Sequence, residues 1–102
     1  MTFDAARGRV VLFGGDGPYT LMNDTWEYDG RTWVQGPAAP PGLTPRHFHA
    51  MAYDRLRSRV VVFGGQDLGL RFYGDTWEYE GSAWQPGPAA PARRRARAAA
   101  RR

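Results

Sequence analysis

The sequence predicts an all-β chain of two four-stranded antiparallel sheets followed by a basic C-terminal tail, and three observations predict it. The chain repeats itself: Met1–Gly15 (MTFDAARGRVVLFGG) aligns with Met51–Gly65 (MAYDRLRSRVVVFGG), and Asp24–Pro40 (DTWEYDGRTWVQGPAAP) with Asp75–Pro91 (DTWEYEGSAWQPGPAAP). Nine of the fifteen positions match in the first pair of blocks and twelve of the seventeen in the second, more than half of them on Val, Phe, Trp, Tyr, Gly and Pro, the residue types that pack cores and form turns. Within each repeat the apolar runs are short, β-branched or alternating, and bounded by Gly, Asp or Pro, which is strand punctuation.

The elements follow in order. In the second repeat a short apolar run, His49–Asp54, leads through the polar turn RLRS to Arg59–Phe63 (RVVVF), too short for a helix and stopped by Gly64 and Gly65. An uninterrupted apolar strand of this kind is expected to be covered on both faces. Asp75–Glu80 alternates, with Trp77 and Tyr79 on one face and Thr76 and Glu78 on the other, and turns at Gly81 into a fourth short strand, Ala83–Gln85 around Trp84. The first repeat supplies Thr2–Asp4, Arg9–Phe13, Thr25–Asp29 and Thr32–Gln35. Four short strands joined by tight turns make one meander sheet per repeat. The repeats occupy residues 1–50, its first strand truncated, and 51–91, and the Arg/Ala-rich tail occupies 92–102.

The repeat offset is 50 residues in the first pair of blocks and 51 in the second, so a one-residue difference falls in the unmatched stretches Asp16–Asn23 and Gln66–Gly74. Such divergence between matched blocks marks exposed loops on a fixed scaffold.

With 42% apolar and 14% aromatic residues the chain has the composition of a folded protein. Its formal charge of +4 is unevenly placed: residues 1–91 hold eight Arg against ten Asp and Glu, while 92–102 (ARRRARAAARR) hold six Arg and no acid. The absence of Cys excludes disulfides, thiolate metal sites and a cysteine nucleophile. The N-terminus lacks the apolar core of a signal peptide and no run of 18 apolar residues occurs, so neither a leader nor a membrane span is expected, and localisation stays open.

The motif elements taken together resemble kelch repeats: a hydrophobic strand ending in a Gly pair (Gly14 and Gly15; Gly64 and Gly65), a divergent loop, then a spaced Tyr and Trp (Tyr28 and Trp33; Tyr79 and Trp84). NDTWEYDG and HAMAYD look like the bacterial branch of that family, similar to the central domain of galactose oxidase. The resemblance covers residues 1–91 and implies one β-propeller blade per repeat, hence a partial β-propeller. A closed propeller has typically 4 to 8 blades, so the chain is expected to be a fragment of a longer propeller or an open reading frame cut short. The first repeat lacks a counterpart of Arg46–Ala50, and after Pro91 the tail is at best a degraded echo of a third repeat.

Several arrangements could carry chemistry, and each has a plainer reading. The Gly pairs lack the Gly-Lys-Ser/Thr and helix start of a phosphate loop and are read as turn glycines. His47 and His49 alternate around Phe48 and could present two imidazoles to a metal, but no third ligand has matching spacing. Asp16, Asp24, Asp67 and Asp75 lack the ligand pattern of a calcium loop and are read as turn and strand-entry residues. Asn23-Asp24-Thr25 fits a glycosylation acceptor without a secretory signal and is read as coincidence. Trp26, Trp33, Trp77 and Trp84 could stack on sugars or bases, but their recurrence favours packing between sheets. The Arg tail could bind nucleic acid; it is read instead as a solvated or weakly helical end.

No catalytic set, cofactor site or metal site can be assembled, and galactose oxidase is a likeness of scaffold only. The expected function is non-catalytic: a kelch-type scaffold binding a protein partner through its loops. The alternative is a piece of a galactose-oxidase-like or carbohydrate-active propeller enzyme lacking its catalytic residues. In a meander the loop between strands two and three shares one rim with the connection to the next repeat. That rim comprises Asp16–Asn23, Gln66–Gly74 and Gly36–Arg46, and its candidate contacts are Tyr19, Leu21, Met22, Leu70, Arg71, Phe72 and Tyr73. Two sheets also leave apolar faces open, expected at residues such as Val11, Phe13, Val61 and Phe63, which predicts self-association.

Overall fold

A computed structural model describes residues 1–88. The end of the second repeat and the whole 92–102 tail, with its helical reading, lie outside the described residues. The architecture is all-β: β1 (Thr2–Asp4), β2 (Arg9–Asp16), β3 (Leu21–Tyr28) and β4 (Trp33–Gln35) form one antiparallel meander, and β5 (Ala50–Asp54), β6 (Arg59–Phe63), β7 (Thr76–Tyr79) and β8 (Trp84–Pro86) form a second. Strand order follows chain order in both, as expected from short connections.

Strand alternation decides what each sheet presents. On the first sheet Val11 and Phe13 point to one face, in register with Glu27 and Thr25 of β3. On the second, Val60 and Val62 lie in register with Tyr79 and Trp77, and Trp84 pairs beside Tyr79. These two faces pack together, and with Leu43 from the connection they make the core. Phe13 meets Trp84 with ring centroids 5.2 Å apart, and Trp84 stacks on Tyr79 at 4.8 Å. The polar tips of the large rings are satisfied across the interface. The Trp84 indole N–H donates to Thr25 Oγ1 at 2.8 Å, and the Tyr79 hydroxyl donates to Glu27.

The contact joins non-equivalent faces. The counterparts of Val11 and Phe13 are Val61 and Phe63, which point away from the first sheet; the counterparts of Val60, Val62, Trp77, Tyr79 and Trp84 are Val10, Leu12, Trp26, Tyr28 and Trp33, which point away from the second. Each sheet thus offers its neighbour the face that the other sheet leaves outside. The open faces expected at Val11 and Phe13 are corrected accordingly: both are fully buried, and the open face of the first sheet carries Leu12, Trp26 and Trp33 instead. Only Val61 and Phe63 of that expectation face outward. The RVVVF strand is likewise covered on one face, Val60 and Val62, among the described residues. Trp77 and Trp84 pack between the sheets as expected, whereas Trp33 is 42% exposed.

Local polar structure repeats as closely as the core pattern. Asp4 accepts from Arg7 as Asp54 does from Arg57, each closing the turn between the first two strands. Arg9 pairs with Glu27 and Arg59 with Glu78, both at 3.3 Å. The difference lies in what is stacked on the sheet. Arg7 reaches Ser58 O of the second sheet, and Glu27 receives Tyr79, while the outward Glu78 instead takes both Arg57 and Arg59.

Candidate interaction site at the loop rim

The rim expected from meander geometry is held together by hydrogen bonds. The connection after β4 runs back past the β2–β3 turn and the β6–β7 loop, and Arg46 is its anchor. Its main chain binds the first sheet: Gly15 N–H donates to Arg46 O at 2.9 Å and Arg46 N–H to Met22 O at 3.3 Å. Its side chain, wholly buried, binds the second. The guanidinium donates to Asp75 Oδ1 at 2.6 Å and Oδ2 at 3.1 Å and to Gly64 O at 3.2 Å, and lies 4.1 Å from the Tyr73 ring centroid. Burial alone would push the Asp75 carboxyl up, but the hydrogen bonds from Arg46 and from the Trp77 indole outweigh it and hold Asp75 below its ordinary range. One residue thus straps the two sheets together at this end.

Two histidines continue the strap. His47 exchanges backbone hydrogen bonds with Gln66, and its Nδ1 lies 2.9 Å from Asp16 Oδ1. His49 Nε2 lies 2.9 Å from Phe13 O, its ring edge-on to Phe13 at 5.5 Å. Phe48 between them has a φ of 61°, and β5 begins at Ala50, so the pair does not form the regular strand expected of it. Each imidazole is turned back onto the first sheet, and no group of three or more metal-ligating side chains occurs among the described residues.

Burial holds the His49 pKa below its ordinary 6.5, against a raising contribution from the Phe13 carbonyl; the positive N-terminus and Arg46 add to the lowering. The folded state therefore favours neutral His49. Its contribution to stability is complete above about 6.5, the pKa of the unfolded chain, and declines as pH falls through and below that value, where the unfolded chain takes up more protons. A thermal melt series is expected to show the midpoint dropping on acidification from neutrality, and His49→Gln, which keeps an N–H for Phe13 O, should flatten that decline.

One glycine of each pair is required by this packing. Gly14 and Gly65 have φ of 62° and 105°, and a Cβ would lie 3.0 Å from Met22 O at the first and 2.9 Å from His47 O at the second. Backbone passes too close there for any side chain. Gly14 also sets the β-bulge between Phe13 and Gly15, after which β2 and β3 pair on to Asp16 and Leu21. In the second sheet the loop, longer by one residue, replaces that pairing with single bridges at Gln66.

This extension corrects part of the expected rim. Leu21 and Met22, expected on a free loop, belong to β3; Leu21 is 6% exposed and unavailable as a contact, and Met22 is half-buried. Tyr73 is half-buried under the Arg46 guanidinium. The remaining candidates stand out from the surface: Tyr19 at 95% exposure, Leu70, Arg71 and Phe72, with Leu70 in the left-handed region at a φ of 68°. Sequence reasoning missed Phe48, exposed on the strap. With Phe63, Phe72 and Tyr73 it lines an open groove of about 420 Å³ floored by Gly64 and Gly65. The signal was present, because Phe48 precedes the strand and interrupts two histidines, but its outward direction depends on a positive φ that no pattern shows.

No family model matches the chain. It is similar to the dynein alpha chain of the flagellar outer arm of Chlamydomonas reinhardtii, 33% identical over 87 residues, a match covering 76% of this chain and 2% of that protein. No helix among the described residues is long and apolar enough to cross a membrane.

Proposed function

We propose that the chain is a kelch-type repeat segment, two blades of a β-propeller, that serves as a non-catalytic scaffold and binds a protein partner through its loop rim. The observation that carries this reading is the same-sense stacking of the sheets: Val11 and Phe13 of one cover Val60, Val62 and Trp84 of the other, and the repeat counterparts of both faces remain open. Stacked units that each contact only their neighbours are the construction of propellers and other repeat arrays. Similarity to a stretch amounting to 2% of a much larger protein fits a module carried inside larger chains.

The rim is the binding surface in this reading because Tyr19, Leu70, Arg71 and Phe72 expose aromatic, aliphatic and guanidinium groups on loops held by the Arg46 strap. Such groups are the usual anchors of interfaces. The test is a displayed-peptide selection on the immobilised chain, followed by affinity measurement on a Leu70→Asp, Phe72→Asp double variant. Selected ligands are expected to bind the variant at least about tenfold more weakly. Ligands that bind the variant and the parent equally would overturn the rim assignment.

A further inference from the structure

Residues 47–49 cross between two fixed points, Arg46 on Asp75 and Ala50 at the start of β5. Side chains hold this crossing to the first sheet and main chain holds it to the second. His49 Nε2 lies 2.9 Å from Phe13 O and His47 Nδ1 2.9 Å from Asp16 Oδ1; a carbonyl and an ionised carboxylate only accept, so both of these ring nitrogens carry the proton and donate. The tautomers are thereby set. The other ring nitrogens, His49 Nδ1 and His47 Nε2, are buried and have no hydrogen-bond partner among the described residues. A second proton on either ring has to enter on a buried atom that meets no acceptor, which is costly.

The two rings differ in the charges that face them. His47 faces the Asp16 carboxylate at the end of β2, which offsets a cation. His49 packs against Phe13, Gly14 and Gly65, none of them charged, and the charges acting on it are the Met1 amine, Arg46 and His47, each opposing a further positive charge. Phe48 between them, at a φ of 61°, adopts a conformation that a bulky residue keeps only where its surroundings impose it. Gln66 links the crossing to the rim: it bridges His47 on one side and the exposed Phe72 on the other.

Taking the loop rim as the binding surface, we propose that His49 is a proton-operated pin: uncharged, it holds residues 47–49 closed on the first sheet, and on protonation it leaves Phe13 O, the crossing opens about Arg46, and the Gln66 bridge that supports Phe72 is released. Arg46 is the fixed end because Asp75, held by Arg46 and the Trp77 indole below its ordinary range, stays ionised while an imidazole titrates. Opening exposes the ring and restores its ordinary affinity for a proton, so the open form binds more protons than the closed one. Closure is complete above about 6.5 and weakens as pH falls through and below that value. For one ring the opening constant rises by up to about tenfold per pH unit.

Native-state amide hydrogen exchange on the full chain, in low urea at pH 7.5 and pH 5, tests it. The His47 and Gln66 amides, which donate to each other's carbonyls at 3.1 and 2.9 Å, are expected to exchange through a local opening that urea does not promote, and its constant should rise at least about fivefold at pH 5. Amides of the β2–β3 and β6–β7 ladders should exchange only through urea-sensitive unfolding. His49→Gln should keep the local opening and lose its pH dependence, whereas His47→Gln should retain that dependence. Opening that is independent of pH in the parent, or as sensitive to urea as the ladders, overturns the pin, and the parent alone decides this if a variant fails to fold. Peptides selected on the chain at pH 7.5 should bind the parent more weakly at pH 5 and His49→Gln equally at both. If local opening depends on pH but those peptides bind alike at both, control of the rim by the pin is overturned; peptides also indifferent to the Leu70→Asp, Phe72→Asp double variant place the failure in the rim assignment instead.

Discussion

Replacing Trp84 with alanine is expected to destabilise the chain by about 3–5 kcal/mol, the range for truncating a buried aromatic, whereas Trp33→Ala at its repeat counterpart should cost well under half as much in dilute, monomeric solution. The two positions have the same neighbours within their own sheets: Trp84 stacks on Tyr79 at 4.8 Å and Trp33 meets Tyr28 at 5.1 Å in a tilted contact. They differ in what lies beyond. Trp84 is 4% exposed against Phe13 and bonded to Thr25, while Trp33 is 42% exposed. Removing Trp84 leaves a cavity between the sheets; removing Trp33 uncovers surface that already meets water. Denaturant melts of both variants measure the difference, and equal losses would mean that the two sheets do not pack through these faces.

Arg46→Met should cost about 3 kcal/mol, the lower end for breaking a buried ion pair, because Asp75 is partly exposed and water can screen the charge left behind. Methionine preserves much of the buried stem but none of the five hydrogen bonds the side chain makes to Thr44, Gly64 and Asp75. Lysine should not restore stability, since a single ammonium cannot reproduce the planar fork on Asp75 or the stack on Tyr73. Thermal melts of the two variants beside the parent settle this. Near-parent stability of Arg46→Lys would show that charge alone, not the fork, holds the strap.

Strand identity and sheet order were legible in the sequence because the repeat let each element be read twice, and turn residues mark both copies: Asp4 and Asp54, Gly30 and Gly81. What periodicity could not decide was which face of each sheet is covered. RVVLF and RVVVF have identical apolar character on both faces, so the pattern is symmetrical where the packing is not. Only the neighbour decides that Phe13 is buried and Phe63 is not. The candidate site was half legible for a similar reason. Exposure of Tyr19, Leu70, Arg71 and Phe72 follows from their position in divergent loops, but Leu21 was lost to β3 through a bulge at Gly14, and Arg46 read as loop because its partner Asp75 lies 29 residues away. A long-range ion pair leaves no spacing signal along a chain.

The sheets stack in the same sense, the Val11/Phe13 face of the first against the Val60/Val62 face of the second. Nuclear Overhauser contacts between assigned side chains in the monomer test it most directly. The stacking predicts contacts from the Phe13 ring to the Trp84 indole, whose centroids lie 5.2 Å apart, and none from Leu12 or Trp26 to any residue of β5–β8. Contacts from Leu12 or Trp26 to the second sheet, with Phe13 silent toward Trp84, would contradict it.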